Sequence, residues 1–260
     1  MASNGMKKYL VNLMLALIIV GCSNTSSEVK NEHSVISKPN IIFILTDDQR
    51  FDALGYAGNG IIKTPQMDKL AQEGVYFKNA LVTTPICSAS RASIFTGLHE
   101  RTHRYSFTTG HLQSKYFEQS YPRLMKDAGY YSGFYGKFGV KMKNPEAHFD
   151  QFENLPMGKG YYFKKIDGKT VHLTRYTGHK AMEFIDNAPK GKPFVLSLSF
   201  NAPHAQDNSK QQYFWQEGPD KLYRDMGIPP AANSDDKYFN ALPKIVKEGF
   251  NRVRYYWRYD

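Results

Sequence analysis

Asn40-Ile41-Ile42-Phe43-Ile44-Leu45 runs without a polar break into Thr46-Asp47-Asp48. An apolar run of strand length with no alternation reads as a strand covered on both faces, as in a parallel sheet, and the carboxylates mark its C-terminal end. Outward from it, Thr64-Pro65 opens a predicted helix carrying Met67 and Leu70 that Gly74 closes, in the order N-cap, first-turn proline, C-terminal glycine. Val75-Tyr76-Phe77 and Ala80-Leu81-Val82 read as a second strand-like stretch. A short helix is expected from Ser88 to Phe95, closed by Gly97, which sets Cys87 at or just before its N-terminus. A helix from Tyr121 to Ala128, stopped by Gly129, precedes a strand from Tyr130 to Tyr135; Gly178 to Asn187 reads as helix. Phe194 to Phe200 reads as a third apolar strand, ending at Asn201-Ala202-Pro203-His204.

This alternation predicts an α/β fold, a mainly parallel β-sheet sandwiched by helices, with ligands at the C-terminal ends of strands. Asp47, Asp48, His204 and the Cys87 loop would meet there. Residues 141–177 and those after 205, rich in Gly, Pro, Asn and Tyr, read as irregular excursions over that face. There is no internal repeat and no sign of a second domain.

The chain has 260 residues, 41% hydrophobic and 22% charged with a net charge of +10, which excludes a disordered chain and a polytopic membrane protein. Aromatic residues at 14% supply a sizeable core despite a mean hydropathy of −0.53. Residues 1–21 carry Lys7-Lys8, an apolar stretch from Tyr9 to Val20 and Gly21, the layout of a secretory signal too short to span a bilayer, with Met6 as the expected start. Ile19-Val20-Gly21-Cys22 resembles a bacterial lipobox, so Cys22 is expected to be the lipidated first residue of a periplasmic, outer-membrane or cell-surface protein held to the membrane by that anchor. An ordinary signal peptide with a chance Cys is the alternative. Residues 22–38 read as a polar tether and 39–260 as the folded part. With only two cysteines in an exported chain a disulfide would be the default, but Cys22 and Cys87 each have a better explanation.

Adjacent carboxylates at a buried strand end repel unless a cation neutralises them, and Asp47-Asp48 offer the oxygen ligands that suit Ca²⁺, with Mg²⁺ possible. Cys87-Ser88-Ala89-Ser90-Arg91 opens a helix and so offers an anion-binding surround. In order and spacing, Lys38 to Arg50, Thr64 to Ala71, Phe77 to Ala80, Cys87 to Arg91 and Phe95-Thr96-Gly97 resemble the opening of the formylglycine-dependent sulfatases, of the alkaline-phosphatase-like superfamily. Leu124 with Lys126 and Ala128-Gly129-Tyr130, Gly136-Lys137, and Ala202-Pro203-His204 are similar to its later blocks.

The resemblance implies that Cys87 is oxidised to formylglycine by a formylglycine-generating enzyme that reads Cys-x-Ala-x-Arg. One hydroxyl of the hydrated aldehyde attacks sulfur and the other drives release of sulfate. It also implies that Asp47, Asp48 and the converted Cys87 contribute to a Ca²⁺ site, that Arg91 holds the formylglycine hydroxyl, and that Lys137 and His204 grip the sulfate. Sulfated small molecules or glycans are the expected substrates; no nucleic-acid partner is expected.

Two departures stand out. The family follows the Lys of its Gly-Lys block with an aromatic and a His, whereas this chain reads Gly136-Lys137-Phe138-Gly139-Val140, leaving His99, His103 and His111 as possible substitutes. The family also completes its metal site with a later Asp-Asn or Asp-His pair. Asp207-Asn208 lacks an apolar strand before it and Asp235-Asp236 fits no better, so the sequence is expected to be the N-terminal part of a longer sulfatase, poorly active as it stands, with a degenerate paralogue the other option. Two further readings stay open: a phosphate or phosphonate ester hydrolase on the same scaffold, and a non-catalytic surface lipoprotein binding sulfated glycans through its positive charge and loops such as Tyr161-Tyr162-Phe163.

Overall fold

The structure, a computed structural model, describes residues 38–155, 162–206, 209–230 and 232–249. The signal-like opening, Cys22, Tyr161, Asp207-Asn208 and the final residues 250–260 lie outside the described residues. The chain divides after Lys38, and the fold is that of the second unit.

Strand β1 spans Ile41–Asp47, β2 Tyr131–Gly136, β3 Gln151–Asn154, β4 Phe163–Ile166, β5 Lys169–His172 and β6 Phe194–Pro203. β1, β6, β2 and β3 form one sheet in that order with every pair parallel, as the apolar runs require; β4 and β5 form a separate antiparallel hairpin. Ile41 pairs with Val195 and Leu45 with Ser199, after which the register shifts and Asp47 stands opposite Pro203. Such an irregularity re-aims side chains at a strand end.

The main helices are α1 (Pro65–Glu73), α2 (Cys87–Thr96), α3 (Tyr121–Asp127) and α4 (Leu173–Asn187). Gly97, at φ 69°, caps α2 in the left-handed conformation and donates its N–H to the Ser93 carbonyl. Consecutive β2 residues show how the layers form, since strand side chains alternate in direction. Phe134 joins Phe95 of α2, Phe117 and Phe138 on one side, while Tyr135 joins Ala181 and Phe184 of α4 with Leu196 and Leu198 on the other. Within the first cluster ring centroids stand 4.8 to 6.1 Å apart, so aromatic edges and faces fill most of the space between α2 and the sheet.

Three expectations need correction. β1 is parallel but lies at the sheet edge among the described residues, and Ile42 and Ile44 are 47% and 54% exposed instead of covered on both faces. Residues 75–82 make no strand: Val75, Phe77 and Leu81 are exposed in a loop, because extended residues without a pairing partner gain nothing from β propensity. Residues 141–177 are not wholly irregular, since they hold a 3₁₀ turn, β3, the hairpin and the start of α4. The hairpin turns on Asp167 and Gly168, both at positive φ, as a two-residue type I′ connection needs.

β2 and β6 are in tight contact at Gly136, where φ is 122° and an added Cβ would lie 1.9 Å from the Ser199 carbonyl oxygen. Gly168 shares the positive φ but faces open space. Gly136→Ala is therefore expected to abolish cooperative urea unfolding, whereas Gly168→Ala should cost only about 1 kcal/mol of backbone strain. Equal losses would show that backbone conformation alone, and not the close approach of the strands, governs position 136.

Candidate active site

Because β1, β6 and β2 are parallel neighbours, their C-terminal ends Asp47, His204 and Lys137 lie on one edge of the sheet. The N-terminus of α2 brings Cys87 to the same edge. Asp47, Asp48, Cys87, Arg91 and His204 line a common cavity of about 550 Å³, with Phe107 on its wall. Cys87 is half-buried and its thiol is in no disulfide. Asp48 is exposed and takes the uncommon φ of 63°, which turns the chain at the end of the strand.

Arg91, one turn into α2, is the connector. Its buried guanidinium donates through Nη1 to the Lys137 carbonyl oxygen at 2.7 Å and to Ser199 Oγ, and Nη2 stands 3.6 Å from Asp47 Oδ2. Lys137 Nζ donates to the same Asp47 oxygen; the two side chains are 3% and 6% exposed. Lys137 thus sits behind the cavity wall as the counter-ion of Asp47. Both cations are needed electrostatically, because a carboxylate this deep loses most of its hydration.

Position 139, where the family motif has His, is occupied by packing. Gly139 has φ 70°, and an added Cβ would stand 2.6 Å from Arg91 Cδ. None of the three candidate substitutes lines the cavity. His103 is 1% exposed: Nδ1 accepts the Tyr105 N–H at 3.1 Å, so the ring proton is on Nε2, 3.0 Å from Ser93 Oγ. Burial holds its pKa below the ordinary histidine value, opposed by the charge of Glu100. It is a core histidine. His204 Nδ1 donates to the Ala205 carbonyl oxygen at 2.6 Å, which makes Nε2 the basic nitrogen of the ring.

Of the acidic pairs considered as later metal ligands, Asp235 caps a short helix, accepting the Lys237 N–H at 3.0 Å, and Asp207-Asn208 lies outside the described residues. Asp47 and Asp48 fit a hard divalent cation in kind, being carboxylates on one cavity, but such an ion takes about six to eight oxygens. Among the described residues no three His, Cys, Asp or Glu cluster closely enough to hold one.

Sequence reasoning missed Ser199 and Tyr162. Ser197 and Ser199 interrupt a buried strand two residues apart and so share a face: Ser197 Oγ is 2.8 Å from Tyr121 Oη, and Ser199 meets Arg91. Burial, partly offset by that serine, pushes the Tyr121 phenol up to about 12. Tyr162 donates its hydroxyl to the His204 carbonyl oxygen at 2.5 Å; burial first, then Tyr213 and Asp47, pushes its pKa to about 12. The paired serines were a readable signal, whereas the tyrosine contact depends on how the excursion folds back.

A family profile described as Sulfatase matches residues 39–245. The chain is similar to an N-acetylglucosamine-6-O-sulfatase of Bacteroides thetaiotaomicron, 30% identical over 86% of this chain and 39% of the relative. It is 28% identical to an arylsulfatase of Clostridium perfringens over 84% of this chain and 55% of the relative. A solved structure described as in complex with its substrate D-glucosamine-2-N,6-O-disulfate superposes with a TM-score of 0.54 at 30% identity, covering 64% of this chain and 35% of the other. The chain thus spans about two fifths to just over half of the length of the curated relatives it matches.

Two outcomes follow from the buried groups. Lys137→Met leaves Asp47 undercompensated and is expected to cost about 3–5 kcal/mol in urea unfolding, while Asp47→Leu with Lys137→Met recovers most of it. Additive losses in the double variant would show that the pair is not coupled. Second, the unfolded chain protonates His103 more readily than the folded one does, so stability present above about pH 6.5 is lost as pH falls below it. His148, lowered by burial and by Arg123, acts in the same direction. His103→Gln should flatten the unfolding midpoint against pH between about 7 and 5, and adding His148→Gln should flatten it further.

Proposed function

This chain belongs to the sulfatase family, and on that premise we propose that it hydrolyses sulfate esters of glycans or aryl groups with Cys87, converted to formylglycine, at the point of attack. One observation carries the reading: Cys87, Asp47, Asp48, Arg91 and His204 line a single cavity at the C-terminal ends of parallel strands. Formylglycine supplies a carbon with two hydroxyls, one for attack and one for release of sulfate. A Ca²⁺ held in part by Asp47, Asp48 and the converted Cys87 would supply charge neutralisation and activation of the attacking hydroxyl, with Mg²⁺ the alternative.

The chain's own side chains do the rest. Arg91 orients the residue at position 87 from one turn along α2 and keeps positive charge near the sulfate. Lys137 adds a second positive charge across the Asp47 carboxylate. His204, its Nδ1–H committed to the Ala205 carbonyl, acts as the imidazolium, giving the Nε2 proton to the departing oxygen and returning to the neutral ring. Gly139 leaves out the histidine of the family motif, so removal of the second hydroxyl proton falls to another base, and a slower release of sulfate is expected. Export and lipidation at Cys22 belong to the same proposal and put the enzyme at the periplasmic or outer face of a membrane, where it meets extracellular glycans.

The test is co-expression with a formylglycine-generating enzyme, mass spectrometry of the tryptic peptide 79–91, and assay with 4-methylumbelliferyl sulfate and a phenylphosphonate ester. Conversion of Cys87 is the expected result, with a slow sulfate turnover that is lost in Cys87→Ala and on chelation of divalent ions. A preference for the phosphonate would favour a phosphonate hydrolase; an unconverted thiol in a competent host would sink the nucleophile assignment. Fatty-acid labelling that persists undiminished in Cys22→Ser would remove the anchor.

A further inference from the structure

The excursion that follows His204 is tied down next to the cavity. Gln206 donates its N–H to the Gln212 carbonyl at 2.7 Å, closing the loop on itself. The Phe214 carbonyl oxygen is 3.1 Å from His172 Nε2 on β5, and the Phe214 ring packs on Tyr162 and Phe163 at 5.4 and 5.5 Å between centroids. Tyr162 reaches in turn to the His204 carbonyl. The half-buried Phe214 is flanked by two exposed aromatics, Tyr213 and Trp215, 43% and 56% exposed. Large, partly exposed rings on a segment held by its backbone and by a neighbouring ring present apolar surface at little entropic cost on binding.

The charge beside them is positive. Phe163 and Lys165 alternate onto one face of β4, the face on which Phe214 packs, and Lys165 is exposed there. Arg175 Nε donates to Gln216 Oε1 at 3.0 Å, which sets an exposed guanidinium one residue from Trp215. From 162 to 216 the sequence carries eight Lys and Arg against four Asp and Glu.

We propose that Tyr213 and Trp215, with Lys165 and Arg175 at their rim, form a subsite that stacks a sugar ring of an anionic, sulfated oligosaccharide next to His204. This rests on the sulfatase reading for its meaning and narrows the substrate from any sulfate ester to a glycan at least two sugars long. A sugar ring offers C–H faces to an aromatic and hydroxyls and sulfates to the cations at its edge, so both parts of the site are used at once.

Binding is measured in Cys87→Ala, which cannot turn over, so the subsite and the catalytic reading can fail separately. With Trp257→Phe added, Trp215 is the sole tryptophan, and its fluorescence is followed on titration with a heparin-derived tetrasaccharide and with the same tetrasaccharide chemically desulfated. The sulfated form is expected to change the emission saturably, to bind at least about tenfold more tightly than the desulfated form, and to weaken as salt rises. Calorimetry on Trp215→Ala should show an affinity about tenfold lower, and Lys165→Gln with Arg175→Gln should erase the preference for sulfate. An unchanged emission, equal affinity for the two tetrasaccharides, or an unaltered affinity in a folded Trp215→Ala would each overturn the proposal. Sulfate turnover on the aryl ester with no tetrasaccharide binding would leave the catalytic reading standing and remove the subsite.

Discussion

The Asp47 carboxylate, taken out of water at the end of β1, is the constraint around which the rest is arranged. A buried charge of this kind is tolerated only with close cations and a complete set of hydrogen bonds, and both of its cations come from elsewhere in the chain. Lys137 can reach it only if β2 ends where Gly136 lets the backbone pass the Ser199 carbonyl. Arg91 can reach it only if α2 starts at Cys87, so that one turn later its side chain runs inward. The register of three strands and the start of one helix are thereby coupled to a single ion cluster. The same coupling carries Cys87 to the cavity.

That cluster also accounts for the altered motif after Lys137. The Arg91 side chain lies where a Cβ at position 139 would be, and the backbone there adopts a conformation that glycine accepts at no cost. A histidine at 139 would need both the backbone and the arginine to move, disturbing Asp47 and Lys137 as well. Gly139 is thus part of the packing of the cluster and not an isolated loop position. His103, one of the candidate substitutes, spends both ring nitrogens on Tyr105 and Ser93, so it takes no part.

Much of this was legible from residue types alone, and where it was not the cause is physical. The end of α2 follows from its Gly97 cap, and the helix runs from Cys87 to Thr96, one residue further at each end than its residue types suggest. The parallel direction of β1 and β6 follows from two continuous apolar runs. Their neighbours do not, because an unbroken run has no period to tell an edge strand from a central one, and Ile42 and Ile44 are partly exposed at the edge. The stretch from Val75 to Val82 has strand-like residues but no partner. The Asp167-Gly168 turn was readable yet passed over, since its flanking runs are short and Lys-rich. Bringing Asp47 together with Cys87 and His204 was legible; that Lys137 would turn to Asp47 was not, because a lysine's direction is set by the charge nearest to it in space.

The periphery obeys a different logic from the sheet. His204 and Phe214 are engaged through their carbonyl oxygens, by Tyr162 and His172 respectively, and a carbonyl contact places no demand on the side chain of the residue that offers it. The excursion is therefore held in part by atoms every residue possesses, with the Phe214 ring and the Arg175–Gln216 hydrogen bond as the side-chain contacts that add to them. By contrast, any substitution at Asp47, Arg91 or Gly139 passes through the ion cluster to the other members. Under the proposed function, chemistry fixed by buried charges at strand ends and recognition carried on the tethered loop change independently, so one scaffold keeps its nucleophile while the surface beside it is rebuilt for a different sugar.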